Sequence, residues 1–247
     1  MQSDEKAACC AAFSCFYGGF ALELSPRLAA VAALVPTGAH LADIGTDHAY
    51  LPAWLILNSR IDRAIAADIR PGPLDHARRT AAAYGLTDRM DFRLCDGLDG
   101  ISPAECDTIT IAGMGGETMV GVLARALWTQ EGKTLILQPQ STQDVLRRFL
   151  AGHGWRICSE RVVREGARWY PVLVVEGGEM PPLTPGEAMA GKPETWVEQP
   201  ERRGYLEWLL GRTRTQLAGL ARSAKPEDQA RSTALTQAET FLEAHLS

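Results

Sequence analysis

Leu41-Ala42-Asp43-Ile44-Gly45-Thr46-Asp47-His48-Ala49-Tyr50 is the stretch that decides the fold. Residues 39–45 form an apolar run that reads as a buried strand. Gly45 permits a tight turn, and a helix is expected from Asp47 to about Asn58. A strand that turns sharply into a helix is where α/β sheets hold nucleotide-like cofactors.

The same alternation continues on both sides. Ser25-Pro26 reads as an N-cap with proline in the first helical turn, opening a helix to about Leu34. Further strands are expected over 63–68, 90–95, 107–112 and 133–138. Helices fall over 71–84, closed by Gly85, and over 116–127. Ser141-x-x-Asp144 resembles a capping box opening a helix that buries Val145, Leu146, Phe149 and Leu150. Short apolar strands spaced by helices specify a parallel sheet covered on both faces. The pattern then changes: 155–163 and 169–176 read as an antiparallel hairpin turning at 164–167. The fold class is therefore α/β, a Rossmann-like parallel sheet closed by a terminal antiparallel hairpin. Residues 177–200, rich in Pro and Gly, read as a linker. Two helical stretches follow, one with Leu206, Leu209, Thr213, Leu217 and Leu220 at 3–4 spacing. The second carries Ala230, Ala234, Ala238, Phe241 and His245, so the pair reads as a short coiled-coil-like hairpin. Three regions result: an extension over 1–22, disordered or loosely helical; a cofactor-binding domain over 23–178; and a linker with helical appendage over 179–247.

The chain has 247 residues, a formal net charge of −5 and six cysteines. No apolar run is long enough for a membrane helix. No cysteine pair or histidine has zinc spacing, so no metal is expected. Cys95, Cys106 and Cys158 read as small buried hydrophobes in a reducing, cytoplasmic compartment. The basic residues are almost all arginines, whose planar fork suits phosphate, although a compositional bias explains them equally well.

The turn chemistry narrows the cofactor. A pyrophosphate dinucleotide calls for G-x-G-x-x-G, whereas only Gly45 is present and Asp47 would repel phosphate. S-adenosyl-L-methionine has no phosphate and carries sulfonium and ammonium charges that Asp43 and Asp47 would stabilise. Asp47 can also cap the following helix. Asp68, ending the second strand before Ile69, can accept from both ribose hydroxyls or serve as a turn residue. Asp96 can accept from an adenine amino group and Gly97 lets the backbone approach, although Cys95-Asp96-Gly97 also suits a plain turn. His48 stands beside the cofactor turn and competes between a base and a hydrogen-bonded structural role. Ala112-Gly113-Met114-Gly115-Gly116 ends the fourth strand, where enzymes that methylate an exocyclic amine carry Asp/Asn-Pro-Pro-aromatic. That motif is absent. A ring nitrogen with a free lone pair needs no such base, and glycines would let a flat base lie against backbone. The alternative is an ordinary glycine-rich turn.

Together, 43–52 (DIGTDHAYLP), 109–116 (ITIAGMGG) and 135–139 (LILQP) resemble the bacterial tRNA (adenine(22)-N1)-methyltransferases, the TrmK type. The likeness runs from about Leu24 to the C-terminus. Gln140 departs from it, standing where Asn is expected. The resemblance implies a Rossmann-like methyltransferase domain with a helical appendage, tRNA as substrate and methylation at adenine N1. On the reading of the residues themselves, Asp43, Gly45, Asp47, His48, Asp68, Ile69, Asp96, Gly97 and Ala112 are expected around the cofactor, with 113–116 shaping the base pocket. Arg70, Arg78, Arg79, Gln138, Tyr170, Arg202, Arg203, Arg212 and Arg214 are the candidate tRNA contacts. A methyltransferase for a small metabolite or protein, and a non-catalytic binding module, are the competing readings.

Overall fold

The computed structural model describes residues 16–17, 20–221 and 225–247, with side chains from residue 22 onward. Most of the expected extension over 1–22 lies outside the described residues. Within it, Phe16–Tyr17 and Phe20–Ala21 pair as a short antiparallel ribbon rather than a helix.

Seven strands form the main sheet: β1 (Leu41–Ile44), β2 (Ala64–Asp68), β3 (Met90–Leu94), β4 (Thr108–Met114), β5 (Thr134–Pro139), β6 (Trp155–Glu165) and β7 (Arg168–Gly177). Their spatial order is 3-2-1-4-5-7-6. The first five run parallel, and β7 joins antiparallel between β5 and β6. The chain order reverses at β1 and β4, so their C-terminal ends open a crevice.

Helices α1 (Pro26–Leu34), α2 (Tyr50–Leu57) and α3 (Pro71–Ala83) cover one face, their apolar side chains meeting Leu41, Ala64 and Ala66. Helices α4 (Gly116–Arg125) and α5 (Gln143–Gly152) cover the other around Ile44, Ile109 and Leu137. The inner parallel strands β1, β2, β4 and β5 are buried on both faces, which is why they read as apolar runs, whereas the edge strand β3 is partly exposed.

Two helix starts differ from expectation. Asp47 and Ala49 adopt left-handed φ of 49° and 54°, so α2 begins only at Tyr50 and Asp47 caps nothing. A left-handed residue cannot continue a right-handed helix. The expected capping box at Ser141 and Asp144 does not form either, because Thr142 takes φ 47°. Ser141 and Thr142 instead serve α4: the Ser141 carbonyl accepts from Gly116 N (2.9 Å) and Thr142 Oγ1 from Glu117 N (3.3 Å). Two of that helix's unsatisfied N–H groups are thereby met. Along α5, Leu146 and Leu150 are buried as expected and Phe149 partly so, but Val145 is exposed and Arg147 is wholly buried. Cys106 is buried, Cys95 half-buried and Cys158 exposed, the last against expectation.

The stretch 177–200 is more than a linker. It contains α6 (Pro185–Ala190), opened by a Thr184/Glu187 capping box, and Trp196 bridges to Glu160 on β6. The appendage continues with α7 (Glu201–Leu220) and α8 (Pro226–Ala244). The buried stripe on α8 is Leu235, Ala238 and Leu242, shifted from the expected alanine stripe, and Ala230 is exposed. Tyr205, Leu206, Leu209 and Leu242 pack with Val162 of β6, joining appendage to sheet. Among the described residues no helix is long and apolar enough to cross a membrane.

Candidate active site

A cleft of about 790 Å³ opens where β1, β2 and β4 end. It gathers every expected cofactor residue: Asp43, Gly45, Asp47, His48, Asp68, Ile69, Asp96, Gly97 and Ala112. Gly113, Met114 and Arg70 line it as well.

Asp43 is one of the cleft's two buried acids, with Asp68. Its β1 position pairs with Thr110 on β4, so Thr110 Oγ1 donates to Oδ1 at 2.6 Å. Thr46 Oγ1, in the turn, donates to Oδ2 at 2.7 Å. Burial raises the Asp43 pKa above the ordinary carboxylate value, and the two hydroxyl donors work against that rise. The turn itself is held by Gly45 and Thr46 N–H groups, both donating to the Ala67 carbonyl. Gly45 has φ 72°, and a Cβ there would run into the end of the Met114 side chain. The positive φ makes glycine the favoured residue at this backbone curve, and the Met114 side chain would have to move for any larger one.

Asp68 ends β2 with its carboxylate 7% exposed, receiving Arg70 N at 2.9 Å. Ile69, 59% exposed, presents an apolar side chain to the cleft. Asp96 lines the opposite rim, but Arg125 Nη2 already holds its carboxylate at 3.0 Å. Gly97, at φ 60°, lies against Val122. Asp47 points outward beside His48, whose ring stacks on His76 (4.6 Å) and Tyr50 (5.1 Å). Asp47, His48 and His76 bring ligand-type atoms within 4.8 Å of one another, a proximity that no sequence spacing reveals.

The glycines of 113–116 divide. Gly113 takes φ 86° at a bulge between β4 and β5 and faces the cleft beside Arg27 Nη1 and Gln140 Nε2. Gly115 and Gly116 instead pack against the 141–142 loop, where a Cβ on Gly116 would meet backbone. The base-pocket reading therefore fits Gly113 and Met114, while Gly115 and Gly116 seat α4.

The candidate tRNA contacts scatter. Gln138 is wholly buried; its Oε1 accepts from Arg27 Nη1 (2.7 Å) and Gly113 N (3.1 Å), so it braces the cleft from behind. Tyr170 is 8% exposed, under the Arg27 guanidinium. Arg202 is buried against expectation: it donates to the Glu160 carbonyl at 2.9 Å and lies over Trp196. Desolvation lowers its pKa to about 10. Arg203 pairs with Glu207, and Arg214 with Glu239 and Glu243. Arg78 pairs with Asp75 and covers Phe92, and Arg79 is exposed. Arg212 is exposed over Trp208.

Sequence reading missed Arg27, Gln140, Glu23 and Glu165 as cleft residues. Arg27 and Glu165 meet through Arg27 N and Glu165 Oε2 at 3.2 Å across 138 positions, a distance no local pattern reports.

A 3-2-1-4-5-7-6 sheet with an acid-lined, phosphate-averse cleft at its switch point defines an α/β methyltransferase. The methyltransferase-domain family model matches residues 24–173. A Bacillus subtilis tRNA (adenine(22)-N(1))-methyltransferase is 41% identical over 159 residues, 64% of this chain and 67% of that protein. The crystal structure of the B. subtilis M1A22 tRNA methyltransferase TrmK superposes with TM-score 0.78 at 29% identity, covering 92% of this chain and 100% of the other. A Streptococcus pneumoniae putative tRNA (m1A22) methyltransferase in complex with S-adenosyl-L-methionine gives TM-score 0.73 at 32% identity over 91% and 100%. The chain belongs to the tRNA (adenine(22)-N(1))-methyltransferase family.

Proposed function

We propose that this chain is a cytoplasmic enzyme that transfers a methyl group from S-adenosyl-L-methionine to N1 of an adenine in tRNA, at position 22 by its family. The observation that carries the reading is the cleft: the buried carboxylates Asp43 and Asp68 and the Gly45 turn meet at one switch point, and the fourth strand ends in Ala112-Gly113-Met114 rather than in Asp/Asn-Pro-Pro-aromatic.

The residues fit the cofactor. Asp43 and the outward Asp47 balance its positive charges, and Asp68 offers two acceptor oxygens for vicinal hydroxyls. Ile69 and Val122 supply apolar surface for a flat ring, and Asp96, once freed from Arg125, can accept from its amino group. The bound cofactor supplies an electrophilic methyl group on a sulfonium. Gly113, which lacks a side chain, leaves room for the target adenine, and the Gln140 amide beside it can bond the base edge. Adenine N1 would attack the methyl carbon with its own lone pair as the sulfur–methyl bond breaks and its electron pair returns to sulfur, leaving a neutral thioether, so no side chain needs to remove a proton. Methylation leaves positive charge on the base, which Glu23, Asp47 and Glu165 at the cleft favour electrostatically.

The test is nucleoside mass spectrometry of unmodified tRNA after incubation with the protein and methyl-labelled cofactor. Label in 1-methyladenosine is expected. Label in another nucleoside, or transfer only to a small metabolite or protein, overturns the reading.

A further inference from the structure

Of the arginines expected on the appendage, Arg202 is buried and Arg203 and Arg214 are paired with glutamate, whereas Arg212 is exposed and other arginines converge beside it. A pocket of about 250 Å³ adjoins the cleft through Gln140, which lines both. It is walled by Arg168, Trp169, Tyr170, Trp208 and Arg212. Thr142, Gln143, Trp208 and Arg212 carry it into a groove of about 420 Å³ between α5, α7 and α8, where Arg148 and Arg231 also face. Arg148, Arg168, Arg212 and Arg231 are all exposed. Asp144 is the one acid lining either compartment among the described residues.

The chemistry is that of a polynucleotide track. Phosphates need cations whose charge is not already spent, and none of these four arginines is in a described ion pair. Bases need aromatic faces. Trp208 is half-buried, with Arg212 4.7 Å from its ring centre. Such a pair can stack any base, because every base has a π face. Continuity with the cleft matters most: a strand lying here delivers its neighbouring nucleotide to Gly113.

We propose that this groove, and not the outer face of the helical pair, holds the tRNA strand flanking the methylated adenine. On this arrangement Arg148, Arg212 and Arg231 take phosphates and Trp208 stacks the adjacent base. The inference rests on the function proposed above and adds where the substrate runs.

Steady-state kinetics on the full-length protein test it, using unmodified tRNA transcript and cofactor calorimetry as the folding control. Arg148→Gln, Arg212→Gln and Arg231→Gln are each expected to raise KM for tRNA about five- to tenfold with kcat nearly unchanged, the loss of one charged phosphate contact. Trp208→Ala is expected to lower kcat/KM about tenfold or more, and Trp208→Phe to restore most of it. Arg203→Gln and Arg214→Gln, on glutamate-paired positions, should stay within about twofold of the parent. Groove variants with unchanged KM, Trp208→Phe as poor as Trp208→Ala, or equal losses on the paired positions would each overturn the track. If the parent protein methylates no tRNA at all, the function itself fails; if it does and only the groove variants are silent, this inference alone fails.

Discussion

Asp43 carries two opposed demands on one carboxylate. Its raised pKa means that the folded chain holds a proton the unfolded chain has already lost. Stability therefore falls as pH rises from the ordinary carboxylate value through the folded value, and above that value the ionised Asp43 is a net cost. Cofactor binding runs the other way, because cationic ligand groups favour the ionised form. Asp43→Asn should separate the two. Thermal denaturation at neutral pH is expected to show an unchanged or higher Tm, since the Thr46 and Thr110 hydroxyls can rotate to serve an amide. Calorimetry with S-adenosyl-L-methionine is expected to show about tenfold weaker binding, the size of one charge-assisted contact. Parent affinity should drop as pH falls through the Asp43 range, and the variant's should not. Full affinity in the Asp43→Asn variant would remove Asp43 from the binding site.

The helix starts show what local sequence conveys and what it does not. Asp68 and Gly113 are legible because an apolar run stops at them, and Asp43 because it interrupts one just before the Gly45 turn. Asp47 before an apolar stretch looks the same whether it caps a helix or sits in a left-handed turn, so the sequence misleads at that cap. Arg202 reads as a tRNA contact, and nothing local marks Arg147 as buried, because their partner, Glu160, lies elsewhere in the chain. Arg147 Nη2 meets Glu160 Oε2 at 2.7 Å, with both side chains essentially buried. Arg147 Nη1 also donates to the Ala188 and Met189 carbonyls of α6. Although burial opposes its charge, Glu160 and Tyr205 hold the Arg147 pKa above the ordinary value. One ion pair thus ties α5, β6 and the appendage together. Arg147→Met alone strands a buried carboxylate and is expected to cost about 3–5 kcal/mol in urea unfolding. Arg147→Met with Glu160→Leu should recover much of that loss, because the desolvation penalty leaves with both charges. A single variant as stable as the double would show that the pair is dispensable to folding.

At the scale of the whole molecule, charge must be sorted before it can bind anything. A chain with net charge −5 gains nothing from its average field when it meets a polyanion. Its acids line the cofactor cleft, where they face cations, and many of its arginines are consumed by carboxylates. Arg93 lies between Asp91 and Glu105, Arg125 between Asp96 and Asp99, and Arg214 between Glu239 and Glu243. Arg148, Arg168, Arg212 and Arg231 remain along the groove, and Arg70, 3.9 Å from the Asp68 carboxylate, stands exposed at the cleft lip. Association with tRNA should then be governed by few contacts rather than by a broad basic surface. With four or five phosphates neutralised, the log of the association constant is expected to fall with log salt at a slope of about −3 to −4. Filter binding or anisotropy over a salt series at fixed pH measures it. Cofactor affinity, set in a partly buried cleft, should change far less over the same series. A slope near zero would mean that the arginines do not meet phosphate, and one near about −8 would mean that the paired arginines are recruited as well.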